Sequence, residues 1–272
     1  MPELPEVEVI VRELRQKVLN EEIVNVKVHW PKSLVTDGQA RRSVCGTIKA
    51  VRRYGKFIIF QLDHLFLLVH LRMTGRLIVS SSERFDKAQL RVHFKFRSGR
   101  SLLFYDTRKF GRVYLTADAN KFLGSLGVDA LDAQFSVQNF KVLLSDKSGI
   151  IKPFLLDQHQ LAGLGNIYAD ESLFRSGIHP QRRISSLSEK ELERLYRAIR
   201  RILPEAIKHM GTTLADYRRT DGESGRNQNY LKVYGREQNP CVRCKNPVEK
   251  KWIGGRGTHY CPVCQPLKKA RV

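Results

Sequence analysis

Two cysteine pairs, Cys241-Val242-Arg243-Cys244 and Cys261-Pro262-Val263-Cys264, constrain this chain more than anything else in its sequence. Two C-x2-C pairs enclosing sixteen residues have the spacing of a zinc site. Four thiolates suit a tetrahedral ion and leave no open position for a catalytic water, so the metal is expected to be structural. The segment from about Val233 to the end is rich in turn formers and too short for its own core. Zinc would supply the folding energy that burial cannot. Two disulfides in an exported protein are the alternative. They fit poorly with an N-terminus that carries acids at positions 3, 6 and 8 instead of a basic-then-apolar leader. A cytoplasmic protein is therefore expected. Cys45 stands outside the pattern and reads as a buried apolar thiol.

At 272 residues the chain is long enough for two domains with separate cores. Val7, Ile10, Leu14 and Val18 form one stripe, which predicts a helix from about Glu6 to Asn20. Short β-rich runs follow to about Leu115, among them Ile23–Val28, Phe57–Leu62, Leu65–Leu71, Leu90–Phe96 and Ser101–Tyr105. Their close spacing suggests a sandwich or barrel-like β domain. The β character fades over 117–135, read as the connection between domains. The next part is helical: Ser188-Glu189-Lys190-Glu191 is a capping box, followed by Leu192, Leu195, Ile199 and Ile202 on one face. Pro204 is expected to bend or break that helix and Gly211 to mark its end. The expected class is α+β, with a helix and β domain over 1–116, a helical domain over 136–232 and the metal segment over 233–272. No run is long and apolar enough to cross a bilayer.

Forty-eight Lys plus Arg against 27 Asp plus Glu give a net charge of +21. Such an excess attracts polyanions, and nucleic acid is the commonest one inside a cell. A ribosomal or merely basic housekeeping protein has the same signature, and charge alone does not separate DNA from RNA. The opening Met1-Pro2-Glu3-Leu4-Pro5-Glu6 adds chemistry. Loss of the initiator methionine would leave Pro2 with a free secondary amine. An α-amino group titrates at about 8, against about 10.4 for lysine, so a useful fraction is neutral and nucleophilic near pH 7. Glu3 beside it could move protons. Equally, Pro2 and Pro5 suit a helix start, and Glu3 and Glu6 suit its positive end.

Further blocks join these: Tyr54-Gly55-Lys56, His70-Leu71-Arg72-Met73-Thr74-Gly75, and Asp106-Thr107-Arg108-Lys109-Phe110-Gly111. Later come Gly163-Leu164-Gly165-Asn166-Ile167-Tyr168-Ala169-Asp170-Glu171, Gly177-Ile178-His179-Pro180, Val233-Tyr234-Gly235-Arg236 and Gly255-Arg256-Gly257-Thr258. With the opening residues and the cysteines, the ordered set resembles the formamidopyrimidine-DNA glycosylase family over nearly the whole chain.

That resemblance implies an N-terminal helix and β-sandwich, then a helical domain with a helix–two-turns–helix element and a zinc β-hairpin. It implies excision of oxidised purines (8-oxoguanine, formamidopyrimidines) from duplex DNA, then cleavage of the abasic strand by β,δ-elimination. A base inside a duplex must first be rotated out, at about a few kcal/mol. Met73, Arg108 and Phe110 match the residues that fill the gap, by stacking and by bonding the orphaned base. Pro2 matches the Schiff-base nucleophile and Glu3 the acid/base that opens the sugar. Glu6 is expected to be a local support. Lys56 matches the lysine that engages lesion and phosphate and assists β-elimination. Arg256 matches the arginine linked with phosphate binding and δ-elimination. Asn166 would hold a phosphate with the helix N-terminus behind it, and His70 and Lys152 would bind phosphates. A monomer with one structural zinc is implied, acting on double-stranded DNA at the nucleoid.

There are departures from the family pattern. Members commonly carry a Lys-His-Asp-His-like run where Lys87-Ala88-Gln89 stand, so a usual histidine phosphate contact is absent or replaced by Lys87. Asn227 occupies a place often held by an aromatic residue, in the stretch Thr212–Gln228 that resembles a loop closing on the extruded base. Two rival readings remain. Endonuclease VIII-like glycosylases share the terminal proline and zinc hairpin, but usually begin Pro-Glu-Gly-Pro and lack the Arg-x-Phe-Gly block. A non-catalytic zinc-ribbon DNA-binding protein explains the charge and cysteines and leaves Pro2, Glu3 and Lys56 incidental.

Overall fold

The structure, a computed structural model, describes residues 1–37, 44–82 and 86–267. Helix α1 spans Leu4–Val18, with Glu3 extended at its N-cap. It starts before Glu6 because Pro5 is already set for the first turn. It stops before Asn20, which takes a left-handed φ of 65°. Val7, Ile10, Val11, Leu14 and Val18 are buried on one face.

Ten strands follow: β1 (Glu22–Val28), β2 (Leu34–Thr36), β3 (Gly46–Thr47), β4 (Ala50–Tyr54), β5 (Phe57–Gln61), β6 (Phe66–His70), β7 (Gly75–Ser80), β8 (Leu90–Phe96), β9 (Ser101–Asp106) and β10 (Arg112–Thr116). They form two five-stranded sheets, ordered β3-β1-β8-β9-β7 and β2-β10-β6-β5-β4. Alternation along the strands points one face of each sheet inward. Val92, Phe94 and Phe96 of one sheet join Ile58, Phe60, Val69 and Val113 of the other in one core, which also takes the α1 stripe. Cys45 lies on the exposed surface, with its thiol 3.3 Å from the Val24 carbonyl. The buried position expected for it does not hold, since it directly precedes the short edge strand β3.

The remaining elements are α2 (Asn120–Leu123), β11 (Val128–Asp129), α3 (Val137–Ser145), α4 (Ile151–Leu156), β12 (Leu161–Ala162), α5 (Asn166–Ser176), α6 (Glu189–Lys208), β13 (Glu249–Ile253) and β14 (Arg256–Tyr260). The capping box at the start of α6 is formed: Glu191 Oε2 accepts from Ser188 N at 2.9 Å, and Ser188 Oγ accepts from Glu191 N at 3.3 Å. Pro204 does not end α6, which runs on to Lys208. Pro204 sits on the exposed side, whereas Leu195, Ile199, Leu203, Ala206 and Ile207 continue the buried stripe past it. Burial of that stripe outweighs one missing backbone bond.

Two compact units emerge, one of Met1–Ser125 with Ile207–Gln228, the other of Leu126–Ala206 with Asn229–Val272. Residues 207–228, which chain order alone would place with the helical region, cluster with the first unit. Tyr217 enters that unit's apolar core. No described helix is long and apolar enough to cross a membrane.

Candidate active site and metal centre

In the first unit, Pro2 and Glu3 are both buried at the entry to α1. Glu6, 1 % exposed, fixes them. One of its carboxylate oxygens accepts from Glu3 N at 2.8 Å and the other from Thr212 N at 2.7 Å. Gly211 makes this approach possible, because a β-carbon there would lie 3.0 Å from Glu6 Cγ, at a φ of +76°. The same segment is held again further along α1: Thr220 N donates to Glu13 at 2.9 Å, and Lys17 donates to Thr220 Oγ1 at 2.8 Å. Burial, then the charge of Glu6, raises the Tyr217 phenol far above its ordinary value. It stays protonated and lies 3.2 Å from the Met210 carbonyl, to which it donates.

Lys56 lies in the two-residue turn between β4 and β5, where Gly55 takes a φ of 54°. The pairing of Phe57 with His70 brings that turn beside the end of β6. His70 is 8 % exposed and packs edge-on to the Phe57 ring. Burial first, then the nearby charges of Arg72 and Lys56, lowers its pKa to about 3. Its Nδ1 accepts from Arg72 N at 3.1 Å, which leaves the proton on Nε2. His70 is thus a neutral donor at any pH near 7.

Met73, Arg108 and Phe110 come together at one exposed edge of the first unit. Met73 is 40 % exposed and Phe110 50 % exposed. The Arg108 guanidinium lies 5.0 Å from the Phe110 ring centre and 3.2 Å from the Met73 sulfur. The hub beneath them is Asp106, a residue to which sequence reasoning gave no role. Its buried carboxylate accepts from Gly111 N at 2.6 Å, from Arg108 N at 3.2 Å and from the Thr74 hydroxyl. Arg72 and Lys109 take left-handed φ values of 53° and 60° beside the exposed apolar pair. Gln89 braces the same loop, accepting from Thr107 Oγ1 at 2.7 Å.

In the second unit, Asn166 opens α5 and donates through Nδ2 to the Gly257 carbonyl at 2.8 Å. Arg256 begins β14 and is exposed; Gly254 and Gly255, both at positive φ, turn the chain from β13 into it. Lys152, expected to bind a phosphate, lies on α4. It is fully buried, with Nζ 2.7 Å from Asp170 Oδ1, 2.7 Å from Thr258 Oγ1 and 3.4 Å from the Gly257 carbonyl. Its charge is held by protein oxygens. Glu171, the next residue after Asp170, was also unassigned. Burial raises its carboxyl's pKa despite the backbone N–H groups of Lys232, Val233 and Tyr234, which it accepts at 2.9 to 3.0 Å.

The sulfurs of Cys241, Cys244, Cys261 and Cys264 lie within 4.8 Å of one another. Cys241 and Cys264 are 3.8 Å apart, and Cys244 and Cys261 are 3.4 Å apart. A tetrahedral zinc with bonds of about 2.3 Å requires sulfur–sulfur edges of about 3.8 Å, so the cluster fits one ion. Cys261 also accepts from Cys264 N and Cys241 from Arg243 N, each at 3.4 Å, which orients the sulfurs inward. Gln265 locks the knuckle to the end of α5, accepting from Cys261 N at 2.9 Å and donating to the Ile178 carbonyl at 2.8 Å.

Three family models match in order: the formamidopyrimidine-DNA glycosylase N-terminal domain over residues 1–113, the formamidopyrimidine-DNA glycosylase H2TH domain over 126–217, and the zinc finger found in FPG and IleRS over 238–267. This chain belongs to the formamidopyrimidine-DNA glycosylase family. A formamidopyrimidine-DNA glycosylase of Shouchella clausii is 42 % identical over 274 residues, covering 98 % of this chain and 99 % of that one. One of Herpetosiphon aurantiacus is 42 % identical over 272 residues, covering 97 % and 100 %. Among solved structures, a Lactococcus lactis FPG mutant bound to Fapy-dG-containing DNA superposes with a TM-score of 0.91 at 34 % identity, covering 98 % and 100 %. The MutM (FPG) protein of Thermus thermophilus gives 0.88 at 39 % identity, covering 98 % and 100 %. Within the family fold, the four-cysteine cluster is a structural zinc centre. The departure at Asn227 is accommodated by polar bonding: it is buried and donates to Thr212 Oγ1 at 2.8 Å.

Proposed function

We propose that this protein is a bifunctional DNA glycosylase and abasic-site lyase that excises oxidised purines from duplex DNA as a monomer in the bacterial cytoplasm, at the nucleoid. The observation that carries this reading is full-length kinship, above one-third identity, with an FPG held on Fapy-dG-containing DNA. A Lactococcus lactis Fpg bound to abasic-site DNA is similar over 97 % of the chain.

Met73 and Phe110 replace the stacking lost when the damaged nucleotide leaves the helix, and Arg108 hydrogen-bonds the unpaired base opposite. With Met1 removed, the Pro2 amine attacks C1′ and the glycosidic C–N bond breaks, the base leaving with its electron pair and a proton. Glu3 protonates the ring oxygen as the sugar opens, which gives an iminium between Pro2 and C1′. The iminium acidifies the adjacent C–H, so loss of that proton expels the 3′ phosphate oxygen, and a second elimination expels the 5′ one. Lys56 engages the lesion-side phosphate and assists the first elimination. Arg256 binds phosphate and assists the second. His70 contributes a neutral N–H, and the α5 N-terminus with Asn166 receives another phosphate. Zinc holds the hairpin that carries Arg256 and takes no part in bond making.

Borohydride added during reaction with an abasic duplex is expected to yield one covalent protein–DNA adduct. Pro2→Gly, or one residue added ahead of Pro2, is expected to abolish it. An adduct of undiminished yield with either variant overturns the reading.

A further inference from the structure

The carboxylate of Asp170, on α5 one turn after Asn166, is completely buried. It pairs with Lys152 of α4 at 2.7 Å and accepts the backbone N–H of His259 in β14 at 2.9 Å. The three N–H donors of Lys152 face three oxygens, two of them on the Gly257–Thr258 stretch. Thr258 Oγ1 in turn donates to the Arg256 carbonyl at 3.0 Å. Asn166 donates to the Gly257 carbonyl at 2.8 Å. The hairpin turn also sits tightly on α4: a β-carbon on Gly254 would lie 2.8 Å from Pro153 Cγ, next to Lys152. Residues 256–259 are therefore fixed, residue after residue, to one buried ion pair.

We propose that Lys152 and Asp170 are positioning residues that set the placement of Arg256 and Asn166, and that Lys152 does not touch the DNA. This rests on the role given above to Arg256. A buried pair contributes little net stability, but losing one partner strands the other's charge. Lys152→Met leaves the Asp170 carboxylate without its buried ammonium, facing only the His259 imidazole 3.6 Å away and the His259 backbone N–H. Adding Asp170→Asn removes that charge and keeps an oxygen for the His259 N–H.

The test is strand cleavage of an abasic duplex, read as kcat, KM and the proportion of δ- to β-elimination product. Lys152→Met is expected to lower kcat about 10- to 100-fold and to reduce the δ proportion, as a displaced group does. The double variant Lys152→Met/Asp170→Asn is expected to return within about threefold of wild type in both. If the double variant stays impaired and its slope of log affinity against log salt falls by about 0.9, the ammonium itself serves the DNA and the proposal fails. Impairment with the wild-type slope traces the loss to the bonds from Lys152 to Gly257 and Thr258 and supports the proposal. Zinc content guards against simple unfolding. Zinc lost in the single variant and regained in the double supports the proposal, and zinc lost in both counts against it. Arg256→Gln separates the two readings. If it alone leaves cleavage and product ratio at wild-type level, the role of Arg256 falls, while the recovery experiment still decides whether Lys152 works through Asp170.

Discussion

His70 shows how burial selects a protonation state that function can use. The folded pKa is about 3, whereas the unfolded side chain titrates near 6.5. Between those values the unfolded chain binds a proton that the folded one refuses. The stability this group contributes is therefore fully present above about pH 6.5 and is lost as pH falls toward 3, with a slope of up to about 1.4 kcal/mol per pH unit. Gln in its place keeps a donor and an acceptor without titrating. Urea midpoints at pH 7 and pH 4.5 should differ more for wild type than for His70→Gln, and equal differences would mean that the folded protein protonates His70. The glycines nearby answer to sterics instead. At Gly111 a β-carbon would lie 2.6 Å from Phe104 Cζ and 3.1 Å from Asp106 Oδ2; at Gly75 it would lie 2.4 Å from the Leu71 carbonyl. These two glycines let the Met73 turn and the Arg108–Phe110 loop meet on one carboxylate.

At the scale of elements, the zinc hairpin depends most on something outside the chain's own packing. Its apolar cluster is small: Phe174, Val233, Val248 and the cysteines themselves. Burial without metal disfavours the thiolates of Cys261 and Cys264. Burial pushes Cys264 up to about 12, while a backbone hydrogen bond from Asn246 and neighbouring thiols bring Cys244 down to about 6. Zinc binding must displace protons. Treatment with a strong chelator is expected to abolish hydrogen-exchange protection across β13 and β14 and to leave that of β8 and β9 intact. Protection retained in the hairpin after zinc is gone would show that it folds unaided. The stripe of α1, the strand β8 and the capping box of α6 were legible in the sequence, because each is a local pattern with a single period. Lys152 was not. A lysine near a motif reads as surface charge, and only the fold shows Asp170 and Thr258 closing over it. Pro204 does not break α6 for a similar reason: its local cost is visible in the sequence, but the buried stripe that overrides it is tertiary.

Across the whole molecule the charge of +21 sets a long-range attraction for DNA, while the named contacts decide where that attraction is spent. Cationic and neutral donors leave different traces in salt. Each phosphate neutralised by a cation releases counterions and contributes about 0.9 to the slope of log affinity against log salt. On the proposed reading Lys56 is such a cation. On the same reading His70, neutral at working pH, donates to a phosphate without neutralising it and adds nothing to the slope. Titrations of a duplex containing a stable abasic analogue, from low to high salt, should therefore separate two variants of similar affinity. Lys56→Met is expected to lower the slope by about 0.9. His70→Gln is expected to weaken binding by a constant factor and leave the slope of the wild type. A slope that falls in the His70 variant would require an imidazolium on the DNA, and with it a pKa raised by bound phosphate far above the value set by burial in the free protein.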